Sequence, residues 1–135
     1  MRRVSGPLLD RIDMRVVMPR LDAERLVGGP RPESSAAVRA RIYSAWERAL
    51  LRNSGQPNAA LRGQRLVRAC ALDAQARRAL GEVSTQLELT ARGVHRMMRV
   101  ARTIADLRDR GPVGSGEIYA ATSLRDRSLE ASLAA

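Results

Sequence analysis

From residue 35 onward the apolar residues recur at intervals of three and four, a spacing that suits helices and little else. Val38, Ile42, Ala45 and Ala49 form one stripe, widened by Trp46 and Leu50, and Arg39, Arg41, Glu47, Arg48 and Arg52 take the opposite side. Ser34 or Ser35 is placed to cap this predicted helix, residues 35–53, and Asn53-Ser54-Gly55-Gln56-Pro57 ends it. A short helix from Gly63 to about Cys70 directs Leu66 and Val67 inward. Asp73 is a capping residue for a helix over 74–87, in which Ala76, Leu80, Val83 and Leu87 share a face. Thr90 caps a long helix over 91–108, with Val94, Met97, Met98, Ala101, Ile104, Ala105 and Leu107 on its apolar side. A Gly- and Pro-bearing turn at 109–116 follows, and Ser115 caps a last helix to about residue 127. The core must be aliphatic, because Tyr43, Trp46 and Tyr119 are the only aromatic residues. Such a core fits packed helices better than a sandwich or barrel.

The first residues have a different character. Ser5, Gly6 and Pro7 form a turn, and Leu8 to Arg11 can make one helical turn. Ile12, Met14 and Val16 then alternate with Asp13, Arg15 and Val17, which predicts a strand over 12–17. One strand needs a sheet, and the rest of the chain offers no partner strands. It is expected either to lie weakly on the helices or to belong to a sheet outside this sequence, which is the first sign of a fragment. Residues 19–34, punctuated by Pro19, Gly28, Gly29, Pro30 and Pro32, read as a linker with one helical turn from Asp22 to Val27. The expected division is therefore 1–18, a linker at 19–34, a helical domain at 35–127 and a fraying tail at 128–135.

Several kinds of chemistry are excluded. All 24 basic residues are arginine, against 14 acidic residues, for a formal charge of +10. No Gly-rich phosphate loop can carry its lysine, and no zinc spacing or nucleophile elbow is present. Cys70 is the single cysteine and His95 the single histidine. That leaves no internal disulfide and predicts a buried, inert thiol. No run of 18 or more apolar residues predicts a membrane span, and the start has no apolar signal region. A cytoplasmic location is the default expectation. Hydrolysis by this chain alone is not expected.

What remains is phosphate chemistry carried by arginine. The excess charge reads either as contact with nucleotide, DNA or RNA phosphates or as a solvated helical surface. Arg11 stands between the short turn and the predicted strand. Its guanidinium fork can hold phosphoryl oxygens of a neighbouring molecule, or pair with Asp10 or Asp13. Arg92, Arg96 and Arg99 fall at i, i+4 and i+7 on the long helix, with Arg102 and Thr103 flanking them. Arg92 lies in the first turn, where free backbone N–H groups also favour an anion. The alternative is an exposed helix face, on which Asp106 can pair with Arg102 four residues before it.

Four segments match a known pattern in order: SGPLLDRIDMRVVMP (5–19), ESSAAVRARI (33–42), CALDAQARRAL (70–80) and LTARGVHRMMRVARTIADL (89–107). Together they resemble the C-terminal part of the magnesium-chelatase-like AAA+ proteins, in the YifB/ComM branch associated with natural competence. The resemblance implies a mainly α chain: a four- to five-helix AAA+ lid bundle preceded by a short strand remnant of the α/β core. It implies that Arg11 is an arginine finger reaching the ATP site of the next subunit. It implies that Arg92 opens a sensor 2 motif contacting its own subunit's ATP, with Arg96 and Arg99 on the same face. ATP and Mg2+ would serve the full-length protein, not this part alone. A hexameric homo-oligomer and DNA, in a branch-migration motor, would be its partners. Gly93 departs from the pattern and is expected to loosen the first turn of the long helix, since glycine inside a helix costs about 1 kcal/mol. Two other readings stand beside this one: a basic helical module that binds DNA or RNA by itself, and a helical protein-interaction domain.

Overall fold

The computed structural model describes residues 12–16, 18, 20 and 22–125. A two-turn helix α1 (Ala23–Gly28) precedes five helices: α2 (Ser35–Arg52), α3 (Gly63–Cys70), α4 (Ala74–Gln86), α5 (Ala91–Leu107) and α6 (Ser115–Ser123). A single 3-10 turn (Asn58–Ala60) joins α2 to α3. The capping chemistry sets most starts. Ser34, Asp73 and Thr90 accept hydrogen bonds from the backbone N–H groups of Ala37, Ala76 and Gly93, each satisfying a donor the helix itself leaves open. The last helix starts differently from expectation. Ser115 is its first residue rather than its cap, and the Glu117 carboxylate accepts from the Gly114 N–H at 3.0 Å instead. It also ends at Ser123, and Leu124 and Arg125 form a turn in which Arg125 N–H bonds the Thr122 carbonyl.

Helix α5 is the central element. It packs against α2, α3, α6 and the 3-10 turn, and α4 closes the bundle against α6. Leu66, Cys70, Met97, Ala101, Ala105, Val113, Ile118 and Ala121 lie at the centre with essentially no exposure. Small residues at Ala76, Ala79, Ala101, Ala105 and Ala121 let the helices approach closely, and Met97 and Met98 fill the gaps between them. Cys70 is buried as expected. Its thiol donates to the Met98 carbonyl, and burial pushes its pKa up to about 11. No helix among the described residues is long and apolar enough to cross a membrane.

Two expectations are corrected. No β-strand occurs among the described residues, so the predicted strand over 12–17 does not form; residues 12–16 are irregular. The reason is the lack of a ladder. Arg15 N–H bonds the Leu124 carbonyl at 2.7 Å, a contact to a helix end rather than to another strand. Ile12, Met14 and Val16 carry the alternating pattern yet stay 41%, 53% and 68% exposed, because no apolar layer faces them. The second correction concerns α2. Only Ala45 and Ala49 of its apolar stripe are buried; Ile42 and Trp46 stay half exposed along a shallow groove shared with Pro57, Thr103 and Leu107.

Gly93 is also tighter than the sequence suggests. It is buried in the first turn of α5 under the Thr90 cap. A Cβ added there would meet Leu89 side-chain atoms at 3.5 Å and Thr90 Oγ1 at 3.6 Å, which is ordinary contact. Gly93→Ala is therefore expected to raise stability by about 0.5–1 kcal/mol through helix propensity. Urea unfolding of the two proteins checks this, and a loss of stability would mean that the first turn cannot take the methyl group.

Candidate functional site

The site is built on the first half of α5 and on the segment that leads into α3. Its floor and walls are formed by Arg62, Arg92, His95, Arg96 and Arg99, with Asp13 and Ala59 at the rim, around an open groove of about 590 Å³. Helical spacing places Arg92, Arg96 and Arg99 on one face, as the sequence indicates. The structure gives them unequal surroundings. Arg92 is exposed at the first turn, and Arg99 is partly covered. Arg96 is 8% exposed. Its Nε lies 3.1 Å from Asp13 Oδ1, and its Nη1 is buried with no hydrogen-bond partner in the protein. Leaving such a donor unsatisfied costs about 1–3 kcal/mol, more for a charged group.

Arg62 was not among the residues singled out by sequence. It precedes α3, and its Nη1 donates to the carbonyls of Ala59 and Leu61 at 2.6 and 2.9 Å. Arg99 Nη1 reaches the same Leu61 carbonyl at 3.4 Å. Two guanidinium groups thus share one acceptor. Burial, and then the nearby charges of Arg62, Arg96 and Arg92, push the Arg99 pKa down, while Asp13 opposes them. A groove lined by four arginines and one carboxylate has an excess of positive charge that an anion would relieve. No sequence periodicity links Arg62 to α5, so only folding reveals it.

A buried polar network holds this wall in place. Arg102 is fully buried and donates to Asp106 Oδ1 and to the carbonyls of Ala69, Arg110 and Gly111. Asp106 also takes both Nη groups of Arg52, at 2.6 and 2.9 Å, and Asn58 Nδ2 at 2.8 Å. Asn58 Nδ2 further donates to Thr103 Oγ1 at 3.2 Å. The network fastens the end of α2 and the 3-10 turn to α5, and so positions Ala59, Leu61 and Arg62 beside the groove. The sequence suggested the Arg102–Asp106 pair as a surface one. Its burial is decided between elements, where Arg52 of α2 and Asn58 of the 3-10 turn close over Asp106.

Two carboxylates of the bundle make it sensitive to acid. Burial raises the Asp106 pKa, but hydrogen bonds from Arg52 and Asn58 and the charges of Arg102 and Arg52 outweigh it and hold the group below its ordinary 3.8. Glu117 behaves alike, held below 4.5 by Arg108 and the Gly114 N–H against the effect of burial. A carboxylate whose pKa is depressed on folding stabilises the protein above its unfolded pKa, and that contribution is lost as pH falls through the folded value. Stability is expected to be level through neutral pH and to fall steadily below pH 4.5. Denaturant midpoints measured at neutral and acid pH test this, and a midpoint unchanged at pH 3.8 and below would mean that the two carboxylates are not depressed.

Arg11 lies outside the described residues. Among the described residues no group of three or more His, Cys, Asp or Glu side chains is placed to hold a metal ion.

Residues 32–125 match the family model described as magnesium chelatase, subunit ChlI C-terminal. The competence protein ComM of Haemophilus influenzae is 37% identical over 108 residues, 79% of this chain and 21% of that protein. An uncharacterized protein of Salmonella typhimurium, YifB, is 34% identical over 133 residues, 96% of this chain and 26% of its own length. A Mycobacterium tuberculosis protein, also uncharacterized, is 38% identical over 126 residues, 91% of this chain and 25% of its length. The chain thus spans between 21% and 26% of the length of these curated relatives.

Proposed function

The chain belongs to the magnesium chelatase ChlI C-terminal family, in the branch of ComM and YifB, and from that premise we propose that it is the helical lid of an ATP-hydrolysing AAA+ ring whose groove reads nucleotide phosphates. The observation that carries the reading is the groove itself, where Arg92, Arg96 and Arg99 converge with Arg62 and a buried guanidinium N–H lacks a partner. A phosphate oxygen is the acceptor that such a donor fits best.

The residues divide the work by exposure. Arg92, at the mouth, is the sensor that meets the phosphates of its own subunit's ATP and reports them to the lid. Arg96 and Arg99 supply charge behind it. Arg11 is the finger offered to the next subunit of a homo-oligomeric, hexameric ring. Bound ATP with its Mg2+ supplies the phosphoryl group, and this chain's part is to orient and to sense. DNA is the macromolecular partner we assign to the whole protein, on the competence name of one relative.

The test uses a chimera in which this chain replaces the matched segment of the Haemophilus influenzae ComM protein. Arg92→Ala is expected to weaken ATP binding about tenfold, the worth of one charge-assisted hydrogen bond, and to slow turnover. Unchanged nucleotide affinity and turnover would remove Arg92 from the sensor role.

A further inference from the structure

The carboxylate of Asp13 sits where the groove would receive a phosphate. It comes from an irregular segment outside the bundle, is itself about half exposed, and reaches a guanidinium that is not: the side chains are 53% and 9% exposed. Among the described residues it is the only acidic one lining a groove that holds Arg62, Arg92, Arg96 and Arg99. The carboxylate therefore meets Arg96 at Nε, leaves the buried Nη1 unanswered, and sets one negative charge against four arginines. A chain of linked phosphates has more oxygens and more charge, and can answer both the buried Arg96 and the Arg62–Arg99 wall.

We propose that Asp13 is an internal anion that occupies the phosphate groove at Arg96 and is displaced when a polyphosphate-bearing ligand enters. The inference rests on the groove being a phosphate site, and it adds the device that regulates that site. Displacement is feasible because the Asp13 carboxylate is half exposed and is readily hydrated on leaving, while the incoming phosphate takes over the guanidinium it vacates. It also couples ligand entry to the segment before the bundle. When Asp13 leaves Arg96, residues 12–16 lose one tie to α5, while the backbone bond from Arg15 to Leu124 remains available. Phosphate binding on the lid is thereby communicated to the stretch that follows Arg11.

Inorganic tripolyphosphate is the probe, titrated into the 135-residue chain and followed by calorimetry and by the guanidinium Nε–H resonance of Arg96. Asp13→Asn is expected to bind it about tenfold more tightly than the wild type, since one competing charge-assisted contact is gone. In the wild type the Arg96 resonance is expected to shift as the ligand is added. Asp22→Asn, an exposed residue outside the groove, makes the same change in net charge and is expected to bind as the wild type does. Equal affinity of wild type and Asp13→Asn overturns the inference and leaves the phosphate groove standing. An equal gain in Asp22→Asn also overturns it, by reducing the effect to net charge. Absence of binding by all three chains overturns the phosphate reading and the inference with it.

Discussion

Asp106→Ala is expected to lower the stability of the bundle by about 3–5 kcal/mol, the cost of removing one partner from a buried ion pair, and so to lower Tm by more than about 10 °C. The size follows from what Asp106 leaves behind. Arg102 is fully buried, with a charge that the backbone carbonyls of Ala69, Arg110 and Gly111 solvate but do not neutralise. Asn58 loses a 2.8 Å acceptor, and Arg52 loses both arms of its fork. Asp106→Asn keeps the shape and one acceptor and is expected to lose less. Arg52→Ala is expected to lose less again, because its side chain is 26% exposed and water can serve Asp106 in its place. Urea unfolding of the three variants ranks them. A loss under about 1 kcal/mol in Asp106→Ala, within the range of ordinary surface pairs, would show that the network is dispensable and that apolar packing alone holds α2 to α5.

The largest functional effect is expected at Arg11. In the chimera with ComM, Arg11→Ala should cut ATP turnover about a thousandfold or more while leaving ATP affinity nearly unchanged, the behaviour of an arginine finger. A finger meets charge that develops on the transferring phosphoryl oxygens, so its removal acts on the transition state and not on the bound ground state. This separates it from Arg92, whose loss is expected in affinity. It also gives a mixing experiment: a ring of Arg11→Ala subunits combined with subunits disabled in their own nucleotide site should recover part of the activity, since a finger acts on the next subunit's nucleotide. Arg11→Lys should not rescue, because a point charge lacks the two-pronged fork. Turnover unchanged in Arg11→Ala would end the assignment.

Much of the fold was legible along the chain. Ser34, Asp73 and Thr90 announce three helix starts because capping is a local event, decided within four residues. The face of α5 was likewise readable, since a helix fixes which of its own residues are neighbours. The failures occur where a distant partner decides. The alternation of Ile12, Met14 and Val16 has the period of a strand, but a strand exists only when another strand completes its hydrogen bonds. Ile42 and Trp46 belong to a good apolar stripe, but they border an open groove beside Thr103 and Leu107 that no other described element fills. The start of α6 was misassigned for a smaller reason: a carboxylate from inside the helix, Glu117, takes the role that a serine hydroxyl at the edge can also fill.

The same division runs through the groove. By itself the sequence determined that Arg92, Arg96 and Arg99 share one helical face, because 3.6 residues per turn permits nothing else. Only the tertiary structure decided how deep each one lies, that Arg62 joins them from another element, and that Asp13 closes on Arg96. Burial and contacts between elements depend on how helices pack, and packing is settled by all the side chains of the bundle together rather than by the spacing within any one helix.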